Sequence, residues 1–261
     1  MKENVVIDAE QFVGTAAANT IGLVIGTVDD KIKSLLQIPE EYGAIGIISS
    51  RTGTVAQAIA VDDAVKTCNA SLLRFETAID AGRQCGQGCL FVLGTETISD
   101  ARKVVEEALH NIDYWAQCIY VNEVGHMEAH VTAKAGMVLY QIFGAPLGKA
   151  FGVVGAAPAG VGIAAVDQAM KAAPVDIVWY GMPNHNLLMM NEFSAGVSGD
   201  ISAVEKAMEK GKMIGCELLK TMGIQPISIQ DVSEVCGEDY EKQVTAAAVC
   251  RRKKEELSAD E

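Results

Sequence analysis

Histidine, acidic and cysteine side chains are the groups through which this chain could do chemistry, and few of them stand in a pattern. His126 and His130 lie four residues apart in an alternating stretch, with Glu123 close by. Those are the ingredients of a metal site or an acid/base set. On an extended strand that spacing puts both imidazoles on one face but roughly 13 Å apart, too far to share one ion unless the backbone bends. No Ser-His-Asp order, paired catalytic carboxylates or P-loop is present. Gly155 to Gly162 is glycine-rich without G-x-G-x-x-G. A second polar set falls in two loops. Thr77 to Gly88 holds Asp80, Gly82, Arg83, Gln84, Cys85 and Gly86, and Met182 to Asn191 holds Asn184, His185, Asn186 and Asn191. Glycine lets backbone approach closely and offers amide donors, so such loops suit small polar molecules better than catalysis. Lys66 and Lys171 stand near predicted helix C-termini, where a cation suits the helix dipole.

The elements that must position these residues are stated twice. Val61-Asp62-Asp63-Ala64-Val65-Lys66 returns 105 positions later as Val166-Asp167-Gln168-Ala169-Met170-Lys171. The match extends outward. Ala44-Ile45-Gly46-Ile47-Ile48 faces Ala150-Phe151-Gly152-Val153-Val154, and Leu72 to Phe75 faces Ile177 to Tyr180. Gly94 faces Gly199, and Ile98-Ser99-Asp100-Ala101 faces Ile201-Ser202-Ala203-Val204 once two extra residues are allowed in the first copy. A period of this length marks duplicated units, each large enough to be a domain.

In the first copy, β-branched and aliphatic runs predict strands at Ile21 to Ile25, Ala44 to Ile48, Leu72 to Phe75 and Leu90 to Leu93. Apolar residues at helical spacing predict helices at Lys31 to Gln37, Thr54 to Asn69 and, with Ser99 as N-cap, on to Leu109. The join has strand-like pieces at Cys118 to Val121 and around His126 to Val131, and its opening does not align cleanly with the first copy. The second copy then predicts helix Gly162 to Ala173, strand Asp176 to Tyr180, strand Phe193 to Val197 and helix Ser202 to Met222. Residues 1 to 19 give no clear period, and the stretch from about Gln225 pairs with nothing in the first copy. The class is α/β, in the α+β, ferredoxin-like sense, with each unit a mixed antiparallel sheet covered by helices. The expected domains are residues 1 to 115 with an N-terminal arm, 116 to 225, and a polar tail of 226 to 261.

Composition narrows the function. Apolar residues make up 49% of the 261 but aromatics only 5%, so the cores must be built from small aliphatic side chains and glycine. A net charge of -13 argues against nucleic acid as a partner, because that affinity comes from cations neutralising phosphates. The basic run Arg251-Arg252-Lys253-Lys254 sits beside Glu255 and Glu256 as part of a solvated tail. Seven cysteines without a regular framework, and no secretory signal at the start, point to the cytoplasm. From Ala135 to Val166 the only charge is Lys149. Repeated glycines with Pro146 and Pro158 would break a spanning helix there, so no membrane segment is expected and the run reads as buried strand and turn.

The repeated motif carries a family resemblance. Phe151-Gly152-Val153, then Val166 to Val175, then Ser198-Gly199-Asp200-Ile201-Ser202-Ala203-Val204 resemble the recurring unit of bacterial microcompartment shell proteins. Two copies in one chain resemble the tandem-domain class, and a strand and short helix ahead of the first repeated strand resemble its circularly permuted branch. The join, through Asn122 to Glu128 and Phe143 to Gly148, is similar to the B-type shell proteins of propanediol- and ethanol-utilisation compartments. The resemblance covers about residues 12 to 224.

The resemblance implies a homotrimer of two-domain chains, a pseudohexagonal tile packed edge to edge with other shell proteins around encapsulated enzymes, with no catalysis and no cofactor of its own. Rings closed by heterologous interfaces, with complementary edges, give flat sheets. Lys66 and Lys171 then occupy the edge-lysine position, and the two polar loops match pore loops that pass small polar metabolites. Some tandem shell proteins hold an iron–sulfur cluster on a pore cysteine, which would fall to Cys85 or Cys89, but the Cys-Pro-Gly-Lys pattern of that class is missing. The alternative is a cytosolic metabolite-binding or signalling module of two ferredoxin-like repeats.

Overall fold

The computed structural model describes residues 11–51, 53–79, 87–122, 124–183, 185 and 191–231. Two compact units account for the chain: Met1–Ala78 with Gln87–Tyr114, and Ile79–Gly86 with Trp115–Glu261. Asp80, Gly82, Arg83, Gln84, Cys85, Gly86, Asn184, Asn186 and Glu123 lie outside the described residues.

The first unit runs β1 (Phe12–Ala16), β2 (Thr20–Ile25), α1 (Asp30–Leu36), β3 (Ala44–Ser50), α2 (Val55–Thr67), β4 (Ser71–Ile79), β5 (Gln87–Thr95) and α3 (Ile98–Ala116). Its sheet is ordered β1-β2-β3-β5-β4. The second runs β6 (Ile119–Asn122), β7 (Gly125–Thr132), α4 (Met137–Phe143), β8 (Ala150–Ala157), α5 (Ala159–Ala172), β9 (Asp176–Gly181), β10 (Phe193–Gly199), α6 (Ile201–Met222) and β11 (Ile227–Ser228). Its sheet is ordered β11-β6-β7-β8-β10-β9. Apart from β11 the two sequences of elements are the same, and the sheets place equivalent strands in equivalent order. The central registers run antiparallel, Ala44↔Thr95 to Ser50↔Cys89 in one unit and Ala150↔Gly199 to Ala156↔Phe193 in the other.

Five details depart from the sequence expectation. Phe12–Ala16 is a strand rather than a featureless arm, paired to β2 from Phe12↔Leu23 to Ala16↔Thr20 with an irregularity after Phe12. A bulge interrupts the period that would have announced it. Met137–Phe143, in the run taken as strand and turn, is a seven-residue helix. Gly144 ends it at φ 66°, its amide reaching the Leu139 and Tyr140 carbonyls, a geometry glycine adopts without strain. The join therefore repeats β1-β2-α1 as β6-β7-α4. Thr97, not Ser99, caps α3: its hydroxyl accepts from the Asp100 amide at 3.1 Å and donates to the Asp100 carboxylate at 2.7 Å. The same helix continues past Leu109 to Ala116, with Ile112 and Ala116 on its buried stripe. Finally, Ile227 and Ser228 form a short strand paired with Val121 and Tyr120 of β6, inside the stretch expected to be a polar tail.

Alternation along the strands gives each sheet two different faces. In the second unit, Met127, Ala129 and Val131 of β7, Val154 and Ala156 of β8, and Ala195 and Val197 of β10 pack against α5 and α6 through Ala165, Ala169, Val204, Met208 and Leu219. On the other face, Phe143 of α4 stacks on Phe151 with ring centroids 5.8 Å apart and meets Trp179 edge-on at 5.0 Å. In the first unit the corresponding cluster is mostly aliphatic: Val28, Ile38, Ile45 and Val92, with Ile25, Leu36, Tyr42, Ile47, Leu73 and Leu90 against them. Among the described residues no helix is long and apolar enough to cross a membrane.

Candidate functional site

The two repeated lysines do not sit alike. Lys66, on the last turn of α2, lies 2.8 Å from Asp62 and 3.0 Å from Asp63, and the Asp62 side chain is fully buried. Burial alone would lower the lysine's pKa, but the hydrogen bonds and charges of both aspartates outweigh it and hold it above the ordinary value. Lys171, one turn after Asp167 on α5, reaches that carboxylate at 2.7 Å with its own side chain 65% exposed. The lysine's hydrogen bond keeps Asp167 below the usual carboxylate range. Lys66 is thus committed to neutralising a buried acid, while Lys171 can leave an exposed partner at little cost.

Of the polar loop residues, His185 and Asn191 are described. The His185 ring stacks on Tyr180 at 5.0 Å and 20°, and its backbone bridges to Met182, closing a tight turn at the end of β9. Asn191, just before β10, accepts the Ala159 amide at 3.4 Å, satisfying one of the free N–H groups that open α5. These two stand at opposite ends of the second loop, and Asn191 is engaged in holding a helix end.

Cys89 is 4% exposed and lies beneath the β3–β5 pairing. Its Sγ is 2.9 Å from the Ser50 hydroxyl, and its amide donates to the same oxygen at 3.3 Å. Burial pushes the thiol up to about 12 against the opposing pull of the Ser50 hydrogen bonds, so it is a protonated, packed group rather than a presented thiolate. Under native conditions at neutral pH, Cys89 is expected to resist alkylation while the partly exposed Cys68 reacts. Peptide mass spectrometry checks this, and equal labelling of the two would show that the β3–β5 end opens readily.

His126 and His130 face the same side of β7 and do not share an ion. Each has its own carboxylate. His126 lies 3.5 Å from Glu192, which precedes β10, and Ser194 donates to the same carboxylate at 2.6 Å. His130, fully buried, lies 3.2 Å from Glu128. Burial works against the His130 cation, but Cys118 and Glu128 favour it and raise the imidazole to about 9. His126 is raised as well, burial again opposing and Glu192 and Glu128 prevailing. For Glu192 burial would raise the pKa, yet the charge and hydrogen bond of His126, with the Ser194 bond, bring it down. Neither carboxylate figured among the sequence candidates. Glu128 was visible as the residue midway between the two histidines on one face; Glu192 reaches the cluster only through the β8–β10 register.

Among the described residues no group of three or more His, Cys, Asp or Glu side chains could hold a metal ion. What the geometry presents is two duplicated sheet-and-helix units, with one lysine near the end of each repeated helix.

Known proteins are similar to this chain in sequence and fold. Residues 150–227 match the family model described as BMC domain. The chain is 39% identical over 216 residues to the bacterial microcompartment shell protein PduB of Citrobacter freundii, covering 83% of this chain and 80% of that one. The crystal structure of EtuB from Clostridium kluyveri superposes with a TM-score of 0.80 at 40% identity, over 84% of this chain and 96% of that chain. That of a trimeric microcompartment shell protein PduB gives 0.80 at 33% identity, over 84% and 97%. The duplicated fold and these relatives, structural proteins rather than enzymes, establish that the chain belongs to the bacterial microcompartment shell proteins.

Proposed function

We propose that three copies of this chain form one pseudohexagonal tile of the shell, in which each chain supplies two of the six domain positions. The observation that carries this reading is the element-for-element repetition of β1-β2-α1-β3-α2-β4-β5-α3 by β6-β7-α4-β8-α5-β9-β10-α6 in a single chain. A ring needs equivalent contacts repeated at equal rotation, and two like units per chain let three chains close it. The similarity to a trimeric PduB supports the same stoichiometry. In this reading residues 1 to 115 are the first shell domain and 116 to 225 the second, followed by the polar C-terminal stretch whose first residues supply β11. The loops between β4 and β5 and between β9 and β10 line passages for small polar metabolites. Other shell proteins lie at the tile edges, and encapsulated enzymes lie on one side.

Lys171 is the edge contact that can be probed cleanly. Removing Lys66 would strand the buried Asp62 carboxylate and destabilise the unit, confounding any loss of assembly. Removing Lys171 leaves Asp167 exposed and solvated. Negative-stain microscopy of the purified protein is expected to give sheets, tubes or tiled arrays, with Lys171→Ala reducing them while light scattering still reports a trimer. A persistently monomeric wild-type protein would overturn the tile. Arrays untouched by Lys171→Ala would remove Lys171 from the edge.

A further inference from the structure

The duplication supplies an internal control for the histidine–carboxylate cluster. Aligning β3 with β8 puts Ile47 with Val153 and Ser49 with Gly155. The strand registers then place Leu23 of β2 where His130 stands in β7, since Leu23 pairs Ile47 and His130 pairs Val153. By the same rule Ile21 corresponds to Glu128, because they pair Ser49 and Gly155. Leu90 of β5 corresponds to Ser194 of β10, again opposite Ser49 and Gly155. One unit builds this patch from Ile21, Leu23 and Leu90; the other builds it from Glu128, His130 and Ser194. The fold therefore does not need the polar set.

Keeping that set is costly unless it is fully paired, because each buried carboxylate loses several kcal/mol of hydration. Glu128 and Glu192 are both less than a tenth exposed. The charged and titratable groups around the imidazoles come from three places: Glu128 on β7, Glu192 ahead of β10, and Cys118 in the turn between α3 and β6. Opposite His130 and Glu128, β8 brings only Val153 and Gly155, and α4 carries no charged residue. Cys118 lies close enough to favour the His130 cation, yet among the described residues Nδ1 has no hydrogen bond of ordinary geometry. Each buried carboxylate thus has one imidazole as its partner, Glu192 with His126 and Glu128 with His130.

We propose that this face of the second unit is a proton-sensing device, in which protons on His126 and His130 keep Glu192 and Glu128 paired, so that the unit holds its packing best in mildly acidic medium and loosens as the medium turns alkaline. The sign follows from linkage. An imidazole raised in the folded state adds stability that is complete below its unfolded value of 6.5, and for His130 that stability is lost as pH climbs through about 9. Glu192, lowered on folding, adds stability that is present above its ordinary 4.5 and lost in acid. The second unit is therefore most stable between those two ordinary values.

Two measurements on the full chain test this. Denaturant unfolding from pH 5.5 to 9.5 is expected to show the folding equilibrium of the second unit falling by up to about tenfold per pH unit for each imidazole titrating above 6.5. In Glu128→Ile/His130→Leu, which transplants the pattern of the first unit, about one proton's worth of that slope disappears and stability at pH 9 equals or exceeds wild type. A slope unchanged by the double substitution overturns the proposal. If the double variant does not fold, NMR titration of the wild-type imidazoles decides. Two of the four titrating well above 6.5 sustain the proposal, and all four near 6.5 refute it.

Discussion

Gly162→Ala is expected to lower the melting temperature by on the order of 10 °C, while Gly160→Ala, two residues earlier on the same helix, leaves it unchanged or raises it slightly. Alanine normally improves a helix by about 1 kcal/mol over glycine, so a loss at one position and a gain at the other needs a local cause. A Cβ on Gly162 would lie 2.2 Å from the Phe193 carbonyl oxygen and 2.9 Å from that of Ala156. Both are backbone atoms of paired strands and cannot rotate away. Relief requires α5 to lift from the sheet, which parts Ala165 and Ala169 from Val154 and Ala195. Overpacking of this kind costs about 1–3 kcal/mol and more when backbone must shift. In a unit of this size each kcal/mol is worth roughly 2–4 °C. At Gly160 a Cβ meets nothing within 4 Å. Calorimetry of the two single variants settles the matter, and an undisturbed Gly162→Ala would mean that α5 rides higher on the sheet.

The second large effect is expected at Asn122. Its side chain is wholly buried at the end of β6 and makes four hydrogen bonds. Nδ2 donates to the Leu219 carbonyl at 3.1 Å and the Ile224 carbonyl at 2.9 Å. Oδ1 accepts from the Val124 and Gly125 amides, each at 3.1 Å. One residue thereby fastens the last turn of α6 and the segment after it to the β6–β7 turn. Asn122→Ala strands all four groups. Each unsatisfied buried group costs about 1–3 kcal/mol, and with partial access to water a total of about 3–4 kcal/mol is expected. Asn122→Asp fares no better, because it points an acceptor at two carbonyls. Denaturant midpoints measure the loss, and limited proteolysis should cut sooner beyond Met222. If Asn122→Ala unfolds at the wild-type denaturant concentration, α6 is held by its apolar face alone.

Much of this architecture was legible before any coordinates. The Asp and Lys shared by Val61 to Lys66 and Val166 to Lys171 carried the duplication and the family, and apolar spacing placed α2, α5 and α6. The misses share a physical cause. Met137–Phe143 is one helical segment between Gly136 and Gly144, too short for its period to stand out from a glycine-rich run. Phe12–Ala16 becomes a strand by pairing with β2, information that lies outside its own five residues. The cluster was half visible for a similar reason: strand alternation says which side chains share a face, but not what the neighbouring strand brings to it. Register delivers Glu192 to His126, Ser50 to Cys89 and Asn191 to the start of α5.

The duplicated topology has an evolutionary consequence. In an unfused ancestor with one domain per chain, any substitution on the sheet face would recur in every domain of the assembly, and an expensive polar change would be multiplied accordingly. Once two copies are joined, each drifts under its own selection while the other supplies reserve stability. The face around Ile47 and Val92 is apolar and the face that holds Glu128 and His130 is not, so the two copies no longer carry the same side chains at equivalent positions. A fused chain can carry a polar substitution in one copy without repeating its cost in the other.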